Sequence, residues 1–260
     1  MALRPVTLIT GASAGIGTAL AHVFAANHHE VVLVARREQL LANLAAEIAA
    51  TGAPKPIVLR ADVARIDAAQ RIGEALAAAG VEPDIVVNNA AFGLVGQADT
   101  LDRGEQLAMI DLNVRALTDL SLAFLEPLER RRGGLLNVAS VAGFMPGPGM
   151  AVYYASKAYV ISFSEALHQE LAPKGVRVTT LCPGPVPTEF QARAGIKSTT
   201  FPRMLTRSAG RVAQEGYDGL KAGRRLVVPG FPNRVGAQLL PLLPRSLVLR
   251  MADARNRGRS

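Results

Sequence analysis

Residues 10–17 read Thr10-Gly11-Ala12-Ser13-Ala14-Gly15-Ile16-Gly17, directly after the apolar run Val6-Thr7-Leu8-Ile9-Thr10. The run predicts a buried strand, and residues 16–26 predict a helix with small side chains on its packing face. Glycines spaced Gly-x-x-x-Gly-x-Gly allow a tight turn and a close approach of the backbone to a ligand. Because a helix N-terminus offers unpaired N–H groups to a phosphate, we interpret this segment as a phosphate-binding turn, with a purely structural glycine turn as the alternative.

The alternation of strand and helix continues along the chain. Further strands are expected at residues 31–34, 56–59, 84–87, 134–138, 176–181 and 226–228, and helices at 39–50, 67–79, 107–128 and 153–171. Continuous apolar strands separated by helices predict an α/β fold with a doubly wound, mostly parallel sheet of seven strands and helices on both faces, a Rossmann fold. Ligands are expected at the carboxyl ends of the strands.

A single domain is expected for residues 1–230, because no low-complexity linker or repeat divides them. Residues 183 to about 210 are rich in Pro, Gly, Ser and Thr, and we interpret this excursion as a substrate lid. Residues 231–260 form an apolar and basic C-terminal extension. Either it covers the substrate pocket or a subunit interface, which is the favoured interpretation, or it lies on an anionic membrane surface.

The charge balance is basic. The 260 residues include 29 Lys and Arg against 21 Asp and Glu, a net charge of +8 with a pI of about 10.2. Such a balance suits an anionic ligand, a nucleic acid or a membrane surface. Much of the excess lies in the extension, at Arg245, Arg250, Arg255, Arg257 and Arg259. No nucleic-acid-binding motif accompanies it, so we expect no specific nucleic-acid partner.

Cysteine usage and the N-terminus bear on location. Cys182 is the only cysteine, so no intrachain disulfide can form, which fits a reducing cytoplasm. The N-terminal residues run straight into the first strand pattern without the features of a secretory signal. We therefore expect a cytoplasmic protein. The four histidines and Cys182 show neither metal-ligand spacing nor a nucleophile–base–acid pattern, so no metal is expected.

Two arginines, Arg36 and Arg37, follow the second strand. Dinucleotide-binding folds usually carry an acidic residue there, which binds the ribose 2′-hydroxyl. Guanidinium groups instead suit a 2′-phosphate through their charge and paired donors. The pair therefore favours NADP(H) over NAD(H), with Arg36 as the stronger candidate because it comes first. The alternative is a solvated pair that opens a loop.

Tyr153 and Lys157 are four residues apart on a predicted helix, so they share one face. A nearby ammonium favours the phenolate, so the pKa of such a tyrosine is expected below its free value of about 10. That group can exchange a proton near neutral pH. Tyr154 would have Ala158 as its i+4 partner and lacks the cation, so it is assigned to packing or the pocket wall. Ser140, after the fifth strand, precedes Tyr153 by thirteen positions.

Taken in order, these motifs resemble the short-chain dehydrogenase/reductase family from residue 6 to about residue 229. The resemblance implies a catalytic tetrad of Asn113, Ser140, Tyr153 and Lys157. The implied cofactor contacts are Gly11, Ser13, Ala14, Gly15, Ile16, Gly17, Arg36, Arg37, Asp62, Val63, Asn89, Ala90, Tyr153, Lys157, Pro183, Gly184, Val186 and Thr188. One position departs from the family pattern: Ala91 stands where the family has glycine after Asn-Asn-Ala, which matters only if that backbone needs a positive φ.

The activity that the resemblance implies is reversible hydride transfer between NADP(H) and a carbonyl compound or secondary alcohol. Tyr153 would donate the proton, Ser140 would orient the substrate oxygen, Lys157 would assist Tyr153 and hold the nicotinamide ribose, and Asn113 would support a water chain. A catalytically silent NADP(H)-binding redox sensor or scaffold is the alternative. The helix at 153–171 resembles a dimerisation helix, which implies a homodimer or homotetramer.

The substrate pocket is expected to be mainly apolar, for a medium-sized and largely uncharged ketone or aldehyde. Its predicted lining is Phe92, Leu94, Val141, Gly143, Phe144, Met145, Phe190 and Phe201.

Overall fold

Seven parallel strands form the centre of the computed structural model, which describes residues 3–196 and 204–257. They are β1 (Arg4–Thr10), β2 (Val31–Ala35), β3 (Ile57–Arg60), β4 (Val81–Asn88), β5 (Gly134–Val138), β6 (Arg177–Leu181) and β7 (Leu226–Val227). Their order across the sheet is β3-β2-β1-β4-β5-β6-β7, and each pairing is parallel. The predicted doubly wound sheet is confirmed.

Helices cover both faces of the sheet. They are α1 (Gly15–Ala26), α2 (Glu38–Ala50), α3 (Ala68–Ala78), α4 (Arg103–Ile110), α5 (Leu117–Ala123), α6 (Leu125–Arg131), α7 (Ala151–Leu171), α8 (Glu189–Ala194), α9 (Ala209–Lys221), α10 (Phe231–Leu239) and α11 (Arg245–Arg257). One face packs α1, α2 and α9 through fully buried residues such as Phe24 and Leu41. The other packs α3, α5, α6 and α7 through residues such as Ile72 and Leu120. The sheet is therefore shielded from water on both sides, as its continuous apolar strands require.

The direction of winding reverses between β1 and β4. Strands β2 and β3 extend the sheet on one side of β1, whereas β4 to β7 extend it on the other side. At such a switch point the connections leave in opposite directions and open a crevice beyond the carboxyl ends of the strands. The turn at residues 10–17, the residues after β4 and the residues after β5 all reach this edge.

The continuous helix predicted at residues 107–128 is wrong. The chain forms α4, a π-helical turn at Asp111–Ala116 and α5, and it breaks at Phe124 before α6 begins. Pro127 explains the break, because a proline has no N–H for the preceding turn and its ring clashes with the carbonyl four residues earlier, at Ala123. The ends of the other predicted elements differ from the structure by no more than three residues.

A buried polar layer lies between β4, β5 and the helices behind them. Asn88 and Asn137 face each other in register, and Asn88 Nδ2 donates to Asn137 Oδ1 at 3.0 Å. Asn88 Nδ2 also donates to Ser121 Oγ on α5 at 3.0 Å, and Asn137 Nδ2 donates to Ser164 Oγ on α7 at 2.9 Å. The layer thus ties two strands of the site edge to two helices of one face.

The C-terminal extension folds as α10, a short 3₁₀ turn at Leu240–Leu242 and α11. The buried residues Val248, Ala252 and Asn256 recur every four positions on α11, and Asn256 Nδ2 donates to the carbonyl of Pro148 at 2.8 Å. This face of α11 therefore packs against the loop that precedes α7. Among the residues that the structure describes, no helix has the length and apolar character needed to cross a membrane.

Candidate active site

A cleft of about 830 Å³ opens at the switch point. The sequence-predicted residues on its wall are Gly11, Ser13, Ala14, Gly15, Ile16, Arg36, Arg37, Asp62, Val63, Asn89, Ala90, Ser140, Tyr153, Lys157, Pro183, Gly184, Val186 and Thr188. Gly17 and Asn113 lie behind the wall. The structure therefore brings together segments separated by up to 177 positions, and the volume suits a dinucleotide with a small substrate.

The turn at residues 10–17 is shaped by its glycines. Gly15 has a φ of 59°, a left-handed conformation that favours glycine. A Cβ at Gly17 would collide with the carbonyl oxygen of Gly11 and with the Asn89 side chain, so only glycine fits there. Helix α1 begins at Gly15, which points its first N–H groups toward the cleft edge. This arrangement can hold a phosphate.

Asn89 fastens the end of β4 to this turn. Its Nδ2 donates to the carbonyl oxygens of Thr10 at 2.9 Å and Gly11 at 3.2 Å. The backbone N–H groups of Asn89 and Ala90 donate to Thr10 Oγ1 at 3.0 and 3.2 Å. Within the described ranges, His28 and Arg132 are the only non-glycine residues with a positive φ. Ala91 therefore has an ordinary backbone conformation, and the alanine causes no strain where the family has glycine.

Arg37 lies against the turn. Its Nε donates to Ser13 Oγ at 3.2 Å, its Nη2 donates to the Ser13 carbonyl at 3.2 Å, and its Nη1 pairs with Glu189 Oε2 at 2.8 Å. Arg36 is exposed and also reaches the cleft wall. The contacts to Ser13 make Arg37, rather than the sequence-favoured Arg36, the arginine that is joined to the turn.

Lys157 and Tyr153 share one face of α7, as their spacing predicts. Lys157 Nζ lies 5.9 Å from the centre of the Tyr153 ring and donates to the carbonyl of Val138, at the end of β5, at 2.9 Å. The lysine side chain is buried, and burial lowers its pKa to about 8. A lysine with this pKa changes charge near physiological pH, which is typical of functional sites.

Ser140 lies at the N-terminus of a 3₁₀ turn, Val141–Phe144, just after β5. Its Oγ accepts the Ala142 N–H at 3.1 Å and donates to the Pro183 carbonyl at 3.5 Å. The serine side chain is thereby oriented between the ends of β5 and β6. Since Ser140, Tyr153 and Lys157 all line the same cleft, their hydroxyl and amino groups can act on one ligand.

Asn113 occupies the π-helical turn and is fully buried. Its Nδ2 donates to the Phe92 carbonyl at 2.9 Å and to Ser156 Oγ at 3.1 Å, and its Oδ1 accepts the Phe92 N–H at 3.1 Å. The side chain is therefore engaged with the loop after β4 and with the residue next to Lys157. The three hydrogen bonds of Asn113 therefore position Phe92 and Ser156, which belong to neighbouring segments of the site.

Tyr154 differs from its neighbour in environment. Its buried ring packs so closely on Gly147 that a Cβ there would enter the ring. Tyr153 instead faces the lid, with its ring centre 5.4 Å from that of Phe190. Tyr154 also lies on the cleft wall, so its surroundings agree with its assignment to packing or the pocket wall.

The segment that we predict to be a substrate lid includes α8, which follows Thr188. Thr188 N–H donates to Gln191 Oε1 at 3.0 Å, and Thr188 Oγ1 accepts the Phe190 N–H at 3.3 Å, so the start of α8 is capped. Arg193 pairs with Glu105 at 2.5 Å and lies 4.6 Å from the centre of the Phe92 ring. Together with the Arg37–Glu189 pair, this contact ties α8 to both walls of the cleft.

These lid charges were missed by the sequence analysis. Glu189 and Arg193 are four residues apart on α8, which was the available signal, but their partners Arg37 and Glu105 are remote in sequence. The predicted lid residue Phe201 lies outside the described residues, as does the whole segment 197–203.

Some of the residues predicted to line an apolar substrate pocket lie on the cleft wall. Phe92, Val141, Met145 and Phe190 line the cleft. Gly143, Phe144 and Leu94 do not, so their predicted placement is wrong. Gly143 lies against the backbone of Lys157, where a Cβ would be 2.7 Å from the carbonyl oxygen, and Phe144 packs into a core cluster.

Other sequence-based expectations concern residues outside the cleft. Cys182 is buried, and burial raises the pKa of its thiol, as suits an apolar core residue rather than a nucleophile. Within residues 3–196 and 204–257, no three His, Cys, Asp or Glu side chains are grouped as metal ligands. The cleft wall, as far as the described chain shows, ends at Ile196. None of the described residues of the extension lies on that wall, and the role of the extension stays a prediction.

Comparison with known proteins gives independent evidence about the family of this chain. The family model described as short chain dehydrogenase matches residues 5–198. Sulfoacetaldehyde reductase 2 from Chromohalobacter salexigens is 38% identical over 191 residues, which cover 72% of this chain and 75% of that protein. The match to the family model includes the glycine turn, the predicted tetrad positions and the capped start of α8.

Two solved structures share the fold. A short-chain dehydrogenase from Sphingobium yanoikuyae in complex with NADPH is 32% identical, with a TM-score of 0.80 over 90% of this chain and 92% of its own. The 3-ketoacyl-(acyl-carrier-protein) reductase from Brucella melitensis, complexed with NADH, is 26% identical, with a TM-score of 0.78 over 88% of this chain and 98% of its own. Nicotinamide dinucleotides of both kinds are thus bound by structures similar to this one.

Proposed function

The chain belongs to the short-chain dehydrogenase family of oxidoreductases, and from that premise we propose that it reduces ketones or aldehydes with NADPH, or oxidises the matching alcohols with NADP⁺. One observation carries the proposal: Ser140, Tyr153 and the buried Lys157 line the same cleft as the glycine turn and its arginines. The turn suits a dinucleotide, because its glycines let it pack tightly against Asn89 and Ala90, where a Cβ would collide, with the N–H groups at the N-terminus of α1 directed to the cleft edge.

In the proposed mechanism, the glycine turn, Arg37 and Lys157 would hold a nicotinamide dinucleotide, which would supply or accept the hydride at the substrate carbon. Tyr153 donates its phenolic proton to the carbonyl oxygen as negative charge develops there. Ser140 Oγ hydrogen-bonds the same oxygen and orients it. Lys157, held by the Val138 carbonyl beside the Tyr153 ring, favours the phenolate that remains and binds the ribose. Asn113 positions Phe92 and Ser156 around these groups.

The substrate we propose is medium-sized and mainly apolar. Phe92, Val141, Met145 and Phe190 supply an apolar wall beside Tyr153. The charges of Arg193 and Glu105 at this end are paired with each other, so neither presents an unneutralised charge to a ligand. Cytoplasmic action stays a prediction.

The test is turnover by the purified protein with a panel of ketones, aldehydes, steroids and acyl thioesters, followed by the absorbance of the reduced cofactor. We expect NADPH to give a kcat/KM more than about tenfold above that with NADH, or about 1.4 kcal/mol in transition-state terms. Equal values would contradict the preference. Tight NADPH binding without turnover of any carbonyl compound would instead favour a silent redox sensor or scaffold.

Arginine variants locate the source of the preference. Arg37→Gln is expected to lower kcat/KM with NADPH about tenfold and to leave the NADH value nearly unchanged, because the 2′-phosphate loses a charged partner. Arg36→Gln is expected to act in the same direction. Arg71→Gln is the matched control, since Arg71 is an exposed arginine on α3 that does not line the cleft. An equal loss with both cofactors would point to a damaged fold instead.

Self-association of α4, α5 and α7 is also proposed, as a homodimer or homotetramer. Leu107, Ile110, Leu122 and Tyr159 are exposed on these helices, which lie side by side, with Thr118 Oγ1 2.9 Å from Tyr159 Oη. Exposed apolar side chains grouped in this way are typical of subunit interfaces. Leu122→Glu is expected to shift the protein to a smaller species in sedimentation velocity. Ile66→Glu, at a more exposed apolar residue elsewhere, is expected to leave the species unchanged.

A further inference from the structure

The C-terminal extension exposes an unusual number of large apolar side chains. We call the outer face of residues 231–251 the C-terminal surface; its apolar members are Phe231, Leu239, Leu242, Leu243, Leu247, Leu249 and Met251. Leu242 and Phe231 are 77% and 74% exposed, and every residue from Pro241 to Leu247 is exposed. Scattered single apolar residues are normal on a surface, whereas a continuous group marks an interaction site.

The same surface is basic. Arg234, Arg245 and Arg250 are exposed among its apolar members. No Asp or Glu occurs between residues 231 and 252. The combination of leucine, phenylalanine and methionine with arginine, and without acidic residues, is typical of segments that lie in the plane of a membrane interface.

The surface is held in place from behind. On α10, Asn233 is buried and its Nδ2 donates to the carbonyls of Leu205 and Pro229, each at 3.0 Å. Ala237 packs into a core cluster. On α11, Val248, Ala252 and Asn256 form the buried face. The apolar side chains are therefore displayed by an anchored support. On α10, Phe231 and Leu239 lie opposite the buried side, and on α11 the exposed leucines flank the buried stripe on both sides.

We propose that the C-terminal surface docks the protein on an anionic lipid membrane. The apolar side chains would enter the boundary between headgroups and acyl chains, and the arginines would pair with lipid phosphates. A second copy of the chain is a poorer occupant, because a two-fold contact would bring Arg234, Arg245 and Arg250 of both copies together without acidic partners. Docking leaves the cleft wall uncovered, since none of the extension's described residues, 231–257, lies on it.

Vesicle flotation of the full-length protein tests the proposal. Vesicles of phosphatidylcholine are compared with vesicles that also contain about 30% phosphatidylglycerol. We expect binding to the anionic vesicles only, and we expect it to fall when the salt concentration rises from about 0.05 M to about 0.5 M. Failure to bind anionic vesicles at the lower salt concentration would overturn the proposal.

Two variants separate the contributions. Leu242→Ser/Leu247→Ser removes exposed apolar side chains, and Arg245→Glu/Arg250→Glu reverses exposed charges while leaving the leucines intact. Each is expected to weaken vesicle binding by more than about tenfold with an unchanged NADPH-dependent turnover. The matched control is Ile66→Ser/Arg211→Glu, which changes an exposed isoleucine and arginine elsewhere and is expected to bind like the wild type. Membrane docking would be refuted if both tail variants bound vesicles as well as the wild type. It would also be refuted if the variants changed the oligomeric state and kept their vesicle binding.

Discussion

Replacing Tyr153 with phenylalanine is expected to lower kcat about 10³-fold while leaving the dissociation constant of NADPH nearly unchanged. The substitution removes one hydroxyl and keeps the ring, so the packing of residue 153 on Phe190 is retained. What is lost is the proton for the developing alkoxide. Steady-state turnover with the best carbonyl compound gives kcat, and isothermal titration calorimetry with NADPH gives the dissociation constant.

The adjacent tyrosine is a demanding control. Tyr154→Phe makes the same chemical change one residue along α7, where the ring packs on Gly147 and the i+4 residue is Ala158. Its kcat is expected to stay within about threefold of the wild type. If Tyr154→Phe caused the larger loss, the proton-donor assignment would move to Tyr154. If neither variant lost activity, proton transfer would have to come from another group.

Lys157→Met is expected to abolish most activity and yet to stabilise the cofactor-free protein at pH 7. Burial lowers the pKa of Lys157 from 10.5 to about 8, so below pH 8 the folded state holds an ammonium that would be better solvated in the unfolded chain. That difference is worth on the order of 3 kcal/mol. Methionine fills similar space without charge and forfeits one hydrogen bond to Val138, so a net gain of about 1–2 kcal/mol is expected.

The pH dependence of this gain has a defined sign. Between about pH 8 and pH 10.5 the folded lysine is neutral while the unfolded one still binds a proton, so the wild-type stability rises with pH through that window. The advantage of Lys157→Met therefore shrinks across it. Cys182, whose pKa burial raises, lowers the stability of both proteins above about pH 9, and its effect cancels in their difference.

Urea unfolding at pH 7 and pH 10 measures both quantities. Lys55→Met, at an exposed lysine, serves as the control and is expected to leave the free energy of unfolding within about 0.5 kcal/mol of the wild type at both pH values. A Lys157→Met protein that is less stable at pH 7, or an advantage that does not depend on pH, would contradict the argument. The same variant is expected to lower kcat at least about 10²-fold, because Tyr153 loses the neighbouring cation.

Most of the fold could be predicted from the sequence, because its rules are local. Apolar runs bounded by turns identified each strand, and the glycines of the turn at residues 10–17 identified the connection to α1. The helix predicted at 107–128 failed since apolar periodicity continues across Pro127, while the break depends on the proline itself. The π-helical turn has no local signal, because Asn113 is held there by Phe92 and Ser156 from other segments.

The candidate site likewise has features that the sequence predicts and features that depend on the folded chain. Spacing alone predicted that Tyr153 and Lys157 share a face, and the family pattern supplied the remaining cleft residues. Neither the spacing nor the family pattern predicted that Arg37 would contact Ser13, or that ion pairs would join α8 to both walls of the cleft. Each of these contacts joins segments that only folding brings together. The exposure of the C-terminal surface was equally beyond reach, since a leucine-rich segment predicts burial by default.

The hydrogen-bonded amides of Asn88 and Asn137 favour one register between β4 and β5. Sliding β5 by one residue along β4 would turn every side chain to the opposite face and leave both buried amides without their partners, each at a cost of about 1–3 kcal/mol. A shifted register between β4 and β5 therefore costs free energy. Asn89 directly follows β4, and Ser140 lies just after β5. The relative positions of Asn89, which holds the turn at residues 10–17, and of Ser140 are thus fixed by the alignment of two strands.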